Sequence, residues 1–184
     1  MKIRRIAYLS TLFAFLLPTL VVATVVISYT YPTSTTGVAP KVYLAQGPNY
    51  AAANAMGLFY ANQVGSPANI SSGTNIYFNY TYGASNEALL NVLEIVNNAP
   101  SGVTVKLIFD TVNLPTGVTM YISSSANTQL SYSVSGGTIT INGGTPVSEG
   151  SSFTLSSGTY YIGFLFSSSA QPGTGTIAFH YEIG

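Results

Sequence analysis

Beyond residue 41 the apolar side chains recur at every second position, in short runs separated by Gly, Pro, Asn and Ser clusters. That period sends successive side chains to opposite faces of a strand. Ile76, Phe78, Tyr80 and Tyr82 alternate with Tyr77, Asn79 and Thr81. Val103, Val105, Leu107 and Phe109 share one face of the next clear run, with Thr104, Lys106, Ile108 and Asp110 on the other. Leu114-Pro115-Thr116-Gly117 then turns the chain into residues 118–122. Leu130, Tyr132 and Val134 lead through Gly136-Gly137 to Ile139 and Ile141, a hairpin with glycines where the turn needs positive φ. Asn142-Gly143-Gly144 is a further turn, and Phe153 and Leu155 mark a strand before Gly158. Residues 160–166 predict a long strand, and Ile177, Phe179, Tyr181 and Ile183 alternate to the carboxyl end.

Two regions carry mixed signals. Val42, Leu44 and residues 56–60 predict early strands around the loop 46–49, with a short helical turn at Ala51-Ala52-Ala53. In residues 87–97, Leu89, Val92, Leu93 and Val96 fit a helix, whereas Leu90, Val92 and Val96 fit a strand. The strand is favoured because residues 97–102, Asn-Asn-Ala-Pro-Ser-Gly, read as a hairpin link to the run that follows. Short strands at regular spacing, without helix alternation, predict an all-β, Ig-like or pilin-like sandwich of about eight or nine strands over residues 41–184.

The composition narrows the chemistry. Of 184 residues only five are basic and five acidic, so charged residues make up 5%, against about 25% in ordinary soluble domains. The absence of cysteine excludes disulfides, thiolate nucleophiles and zinc-thiolate or iron–sulfur sites. A single histidine, His180, leaves no multi-histidine metal site, and a catalytic triad would need an orienting partner for it. The expectation is a non-enzymatic protein without cofactor or metal. Three of the five cations, Lys2, Arg4 and Arg5, crowd the amino terminus, leaving Lys41 and Lys106. Two separated lysines cannot form the basic stripe that neutralises phosphates, so nucleic acid is not an expected partner.

Those three cations precede an apolar run from Ile6 to Leu17, then Pro18 and the small residues near Ala23. This is the layout of a secretory signal peptide over residues 1–23, cleaved after Ala23, with membrane contact only during export. Two rivals stand beside it. The uncharged stretch from Ile6 to Ile27 is long enough for an uncleaved anchor, since about 20 such residues span a bilayer. A type IV pilin leader fits less well, because Arg5 is followed by Ile6 and Ala7.

Residues 24–40 have a pattern of their own. Val25, Ile27, Tyr29 and Tyr31 share one face of an extended strand. The polar, proline-bounded spacer 32–40 could hold it about 25–30 Å away at about 3.1–3.3 Å per residue. Such a strand has three fates: it folds back as the domain's own first strand, it ends a membrane anchor, or it enters a neighbouring subunit. In the third case donor and acceptor are different surfaces, so the contact need not close and repetition yields a filament.

After cleavage, Lys41 and Lys106 face Glu87, Glu94, Asp110, Glu149 and Glu182, a net charge of −3. A surface of Ser, Thr, Asn, Gly and Tyr stays wet without ionising, which suits an acidic or hot extracellular setting; this is a hypothesis. Asn69-Ile70-Ser71 and Asn79-Tyr80-Thr81 are N-glycosylation sequons, with Asn69 in a loop and Asn79 on the outward face of a strand. N-linked glycans are therefore expected partners. Lys106 and Asp110 share a face and Glu94 is a candidate neighbour, a set that reads as a surface ion pair rather than an isopeptide bond. The tyrosines, recurring at strand period, read as core and interface residues.

The signal peptide, the apolar strand at Val25–Tyr31, the cysteine-free Ser/Thr/Gly/Tyr-rich sandwich and the stretch Asn91-Val92-Leu93-Glu94-Ile95-Val96-Asn97-Asn98 before Val103-Thr104-Val105 resemble the archaeal thread and bundling-pilus subunits. These are akin to bacterial TasA-like biofilm fibre proteins. The resemblance implies a secreted β-sandwich that polymerises head to tail with identical subunits by donor-strand complementation, for adhesion or biofilm cohesion at the cell surface. It also implies that Val25, Ile27, Tyr29 and Tyr31 are the inserted residues. The alternative from composition is a membrane-anchored adhesin that grips carbohydrate with its Tyr and Asn surface.

Two measurements check these expectations. Sequencing the amino terminus of native protein returns Thr24 if the signal peptide is removed and Met1 if it serves as an anchor. Circular dichroism of the secreted part stays folded from neutral pH into strong acid; a steep acid transition counts against the acidic setting.

Overall fold

The computed structural model describes residues 42–61, 74–79, 86–171 and 173–183. The chain separates into two units, Met1–Val38 and Ala39–Gly184. The first unit lies outside the described residues, as do the signal-peptide and donor-strand assignments made for it.

The described part of the second unit is nearly all strand. In chain order it contains β1 (Val42–Gln46), a short helix α1 (Tyr50–Ala55), β2 (Phe59–Ala61), β3 (Thr74–Phe78), β4 (Glu87–Asn97), β5 (Val105–Asn113) and β6 (Val118–Ser123). Then come β7 (Ser131–Ser135), β8 (Thr138–Asn142), β9 (Gly144–Val147), β10 (Ser152–Leu155), β11 (Gly158–Phe166) and β12 (Gly173–Ile183). One antiparallel sheet has the order β1-β4-β11-β6-β9, a second has β10-β5-β12-β3-β2, and β7-β8 stands as a separate hairpin. The all-β sandwich expected from the alternation is present, with twelve described strands rather than eight or nine. Gly144–Val147, read from sequence only as following a turn, is a strand too brief to show a period.

The core lies where the two inner faces meet. Leu93 and Ile95 of β4, Ile162 and Phe164 of β11 and Met120 and Ile122 of β6 are fully buried from the first sheet. Val105, Leu107 and Phe109 of β5, Ile76 of β3 and Ile177 of β12 meet them from the second. Phe164 packs against both Phe59 and Phe78, with centroids 5.6 and 5.0 Å away, joining β11 to β2 and β3. These separations suit the tilted and edge-on contacts that aromatic quadrupoles favour.

Strand β4 corrects two expectations. Its buried face is Leu93, Ile95 and Asn97 rather than Leu90, Val92 and Val96, although Val92 is buried too. The strand also carries an irregularity at Asn91, which has φ 57°. Across it, the β11 register moves from Ile162 opposite Leu93 to Phe164 opposite Leu89. Two extra β4 residues therefore bulge out opposite Gly163, an even number, so Leu89 packs on the core from the same face as Leu93 and Ile95. That inner face was hidden in the sequence because two of its positions, Asn91 and Asn97, are polar. In addition, residues 97–102 are not a hairpin link: β4 pairs with β1 and β11, while β5 pairs with β10 and β12, so the segment crosses from one sheet to the other.

Asn91 holds the bulge by imitating a strand. Its side chain is buried, donates from Nδ2 to Leu130 O at 3.0 Å and accepts from Leu130 N–H at Oδ1 at 2.8 Å. Leu130 thereby satisfies both backbone groups away from any ladder and is pinned at the base of the β7-β8 hairpin. On the other side, Gly47 N–H donates to Val92 O, Asn49 N–H to Asn91 O, and Asn49 Nδ2 to Leu90 O at 2.8 Å. A Cβ on Gly47 would collide with the Asn91 carbonyl, so the turn after β1 seats on the bulge only with glycine. The expected Gly136-Gly137 hairpin is present, with φ 57° and 78° at the two glycines and Ser135 opposite Thr138.

Asn91→Ala is expected to lose about 2–4 kcal/mol of stability in urea unfolding, since it strands two buried backbone groups and puts at positive φ a residue without the local hydrogen bonding that lets asparagine tolerate it. Asn91→Gly, which loses the same amide but also the Cβ that makes positive φ costly, should cost about 1 kcal/mol less.

Candidate functional site: the sheet edges and outer faces

An assembly strand can join a β-sandwich only where an edge offers unpaired backbone; in the two five-stranded sheets, leaving aside the separate β7-β8 hairpin, those edges are β1, β9, β2 and β10. Antiparallel pairing alternates between residues that exchange hydrogen bonds and residues that turn N–H and C=O the other way. One observed bond fixes that alternation for each pair.

On β1, Gly47 N–H bonds Val92 O at 3.0 Å. In this register Ala45 and Tyr43 exchange bonds with Glu94 and Val96, and Val42, Leu44 and Gln46 turn their backbone groups outward. Among the described residues nothing pairs with that outer edge. On β9, Ser124 N–H bonds Gly143 O at 2.9 Å, so Thr145 faces β6 and Pro146 presents its nitrogen to the free edge. Proline has no N–H there, which blunts β9 as a template.

On β2, Asn79 N–H bonds Leu58 O at 3.0 Å, which makes Tyr60 and Tyr77 a hydrogen-bonded pair and turns Ala61 outward. The buried Tyr50 hydroxyl of α1 meets both outward groups of Ala61, donating to O at 3.3 Å and accepting from N–H at 3.4 Å. Helix α1 thus caps this edge at Ala61, leaving Phe59 as the other outward residue of the three-residue strand. On β10, Phe109 N–H bonds Ser151 O at 3.0 Å, leaving only Ser152 and Thr154 outward on a four-residue strand. Its far end is fastened by Tyr160, whose hydroxyl accepts from Ser156 N–H at 2.9 Å, and by Asn97 Nδ2, which reaches Leu155 O and Ser156 O. β1 is therefore the longest open edge among the four.

The residues singled out from sequence fall as follows. Val25, Ile27, Tyr29, Tyr31 and Asn69 lie outside the described residues. Asn79 is described, exposed, and on the same outward face as Tyr77. His180 stands on the outer face of β12 with Nδ1 2.8 Å from both carboxylate oxygens of Asp110 on β5. Lys106 pairs with Glu182 at 3.4 Å, both exposed, instead of Asp110. Glu94 belongs to the other sheet, so it is not the neighbour of Lys106.

The tyrosines divide. Tyr50 and Tyr160 are buried with their hydroxyls engaged, whereas Tyr60, Tyr77 and Tyr132 are exposed. An open cleft of about 420 Å³ lies beside the β4 bulge, lined by Asn49, Leu90, Asn91, Leu130 and Tyr132 among others. Among the described residues no three His, Asp or Glu side chains gather into a metal-holding group, and no helix is long and apolar enough to cross a membrane. Sequence reasoning missed Tyr50, Asn91 and Pro146. The available signals were an asparagine interrupting the apolar run Leu89-Leu90-Asn91-Val92-Leu93 and a proline inside a short strand.

No protein-family model and no curated protein sequence matches the chain.

Glu94 lies on the outer face of the first sheet, between Ala45 on β1 and Tyr161 on β11. Desolvation by these surroundings raises its carboxyl above the usual range. The folded state therefore favours the protonated form. That contribution is fully present at pH below the unfolded value and is lost as pH rises through the raised folded value. Glu94→Gln is accordingly expected to raise the urea midpoint at about pH 7 and to leave it unchanged at about pH 3. An equal gain at both pH values would show that the desolvated charge is not the cause.

Proposed function

We propose that this protein is a structural subunit of an extracellular filament, assembled head to tail when residues 24–31 of one copy enter the sheet of the next, for adhesion or biofilm cohesion. The observation that supports this reading most directly is the outer edge of β1. Val42, Leu44 and Gln46 offer their backbone groups there, while β9 carries Pro146, β2 is three residues long and capped at Ala61 by Tyr50, and β10 is short. A sheet that protects its other edges and leaves one open is built to take a strand at that one. In the donor, Val25 and Ile27 with Tyr29 and Tyr31 form the apolar face that such an insertion would bury, and the adjoining spacer supplies reach.

The reading also accounts for the lack of charge. A filament subunit works by backbone pairing and apolar burial, and neither needs ionised groups. It requires no cofactor, no metal and no catalytic group.

Negative-stain microscopy of the exported protein tests it. Filaments are expected from the full chain and are lost when residues 24–31 are deleted. A synthetic peptide of residues 24–31 should raise the thermal midpoint of the 41–184 domain and cap growing filaments, and Ile27→Asp in the peptide should remove both effects. Unchanged filaments after the deletion would overturn the reading. So would a full-length monomer held in membranes with Met1 intact, which favours an anchored adhesin.

A further inference from the structure

We infer that Tyr60 and Tyr77 form a stacking platform for the first sugar of a glycan carried on Asn79. The two residues are directly opposite on β2 and β3, with ring centroids 5.7 Å apart and planes inclined by 38°. They remain 49% and 42% exposed, an unusual state for two adjacent aromatic rings on a sheet. On the other side of β3, Tyr77 faces the small, exposed Thr174, flanked by Gly173 and Gly175. Nothing of size on β12 covers the pair from that side. Burial alternates through Asn75, Ile76, Tyr77, Phe78 and Asn79, so Asn79 projects from the same face as the tyrosines, one pleat beyond Tyr77.

The sequence supplies the occupant. Asn79-Tyr80-Thr81 is a sequon, and Tyr77 precedes the acceptor asparagine by two positions. Side chains two apart on a strand stand about 6–7 Å from each other along one face. A sugar linked to the Asn79 amide therefore begins at the height of the tyrosine rings. The axial C–H face of a pyranose is weakly positive and apolar. It complements the negative face of an aromatic ring, as a cation does more strongly. Asn79 suits the attachment in a second respect: its backbone N–H is already held by Leu58 O, so the acceptor is fixed at the end of β3. The platform rests on the export of the chain, and polymerisation is not required for it.

The test is a double-mutant cycle on exported protein with thermal midpoints and glycopeptide mass spectrometry: wild type, Tyr77→Ala, Asn79→Gln and the double variant. Asn79 is expected to be occupied. Tyr77→Ala is expected to lower the midpoint by about 2–4 °C more in the glycosylated background than in the Asn79→Gln background. Tyr77→Phe, which keeps the ring, should retain the coupling, and Tyr60→Ser should reduce it. Unmodified Asn79 in native material overturns the proposal, as does an equal loss in both backgrounds. Filaments formed normally by Asn79→Gln would leave the subunit reading standing while the platform is judged on its own data.

Discussion

Backbone hydrogen bonding at the places where the β-ladder is interrupted governs this molecule. With 5% charged residues there are few ions to solvate a broken strand or repel a stray one. Each interruption is met instead by a neutral amide or hydroxyl. Asn91 completes Leu130, Asn127 accepts from Thr159 N–H, Ser123 accepts from Tyr161 N–H, Asn97 holds the end of β10, and Tyr50 completes Ala61. Neutral groups of this kind keep their partners over a wide pH range, because no proton need be gained or lost.

The same constraint shapes the edges. An open row of N–H and C=O groups is a hazard in any secreted sheet protein. Here the remedies are a proline on β9, a tyrosine from α1 on β2 and a short, fastened β10. The charged side chains that usually deter edge pairing are scarce, and the described ion pairs, Lys106–Glu182 and His180–Asp110, sit on a sheet face. Protection by geometry rather than charge makes the outer edge of β1, unpaired among the described residues, stand out.

Much of the architecture was legible from period alone. The faces of β5 and β12, the inward Ile76 and Phe78 and the glycine turn between β7 and β8 follow from side chains that must alternate across a pleat. Strand β4 was legible as a strand and misread as to face, because its inner face includes two polar residues, Asn91 and Asn97, while the outward Leu90 and Val96 are apolar. The link after β4 was misread for a different reason. An Asn-Pro-Gly segment turns the chain without saying whether the next strand joins the same sheet or the opposite one.

By itself the amino-acid sequence determined the fold class, the near absence of ionisable chemistry, the alternating apolar pattern of residues 25–31 with the polar stretch after it, and the two sequons. All of these are properties of neighbouring residues. Only the tertiary structure decided that Glu94 and Lys106 belong to different sheets, that His180 meets Asp110 and that Tyr60 lies beside Tyr77. It alone also distinguished the outer edge of β1, unpaired among the described residues, from those of β9, β2 and β10. Those facts depend on strand order and hydrogen-bond parity, which join residues as far apart as Tyr50 and Ala61 or Asn91 and Leu130, and local period carries no record of them.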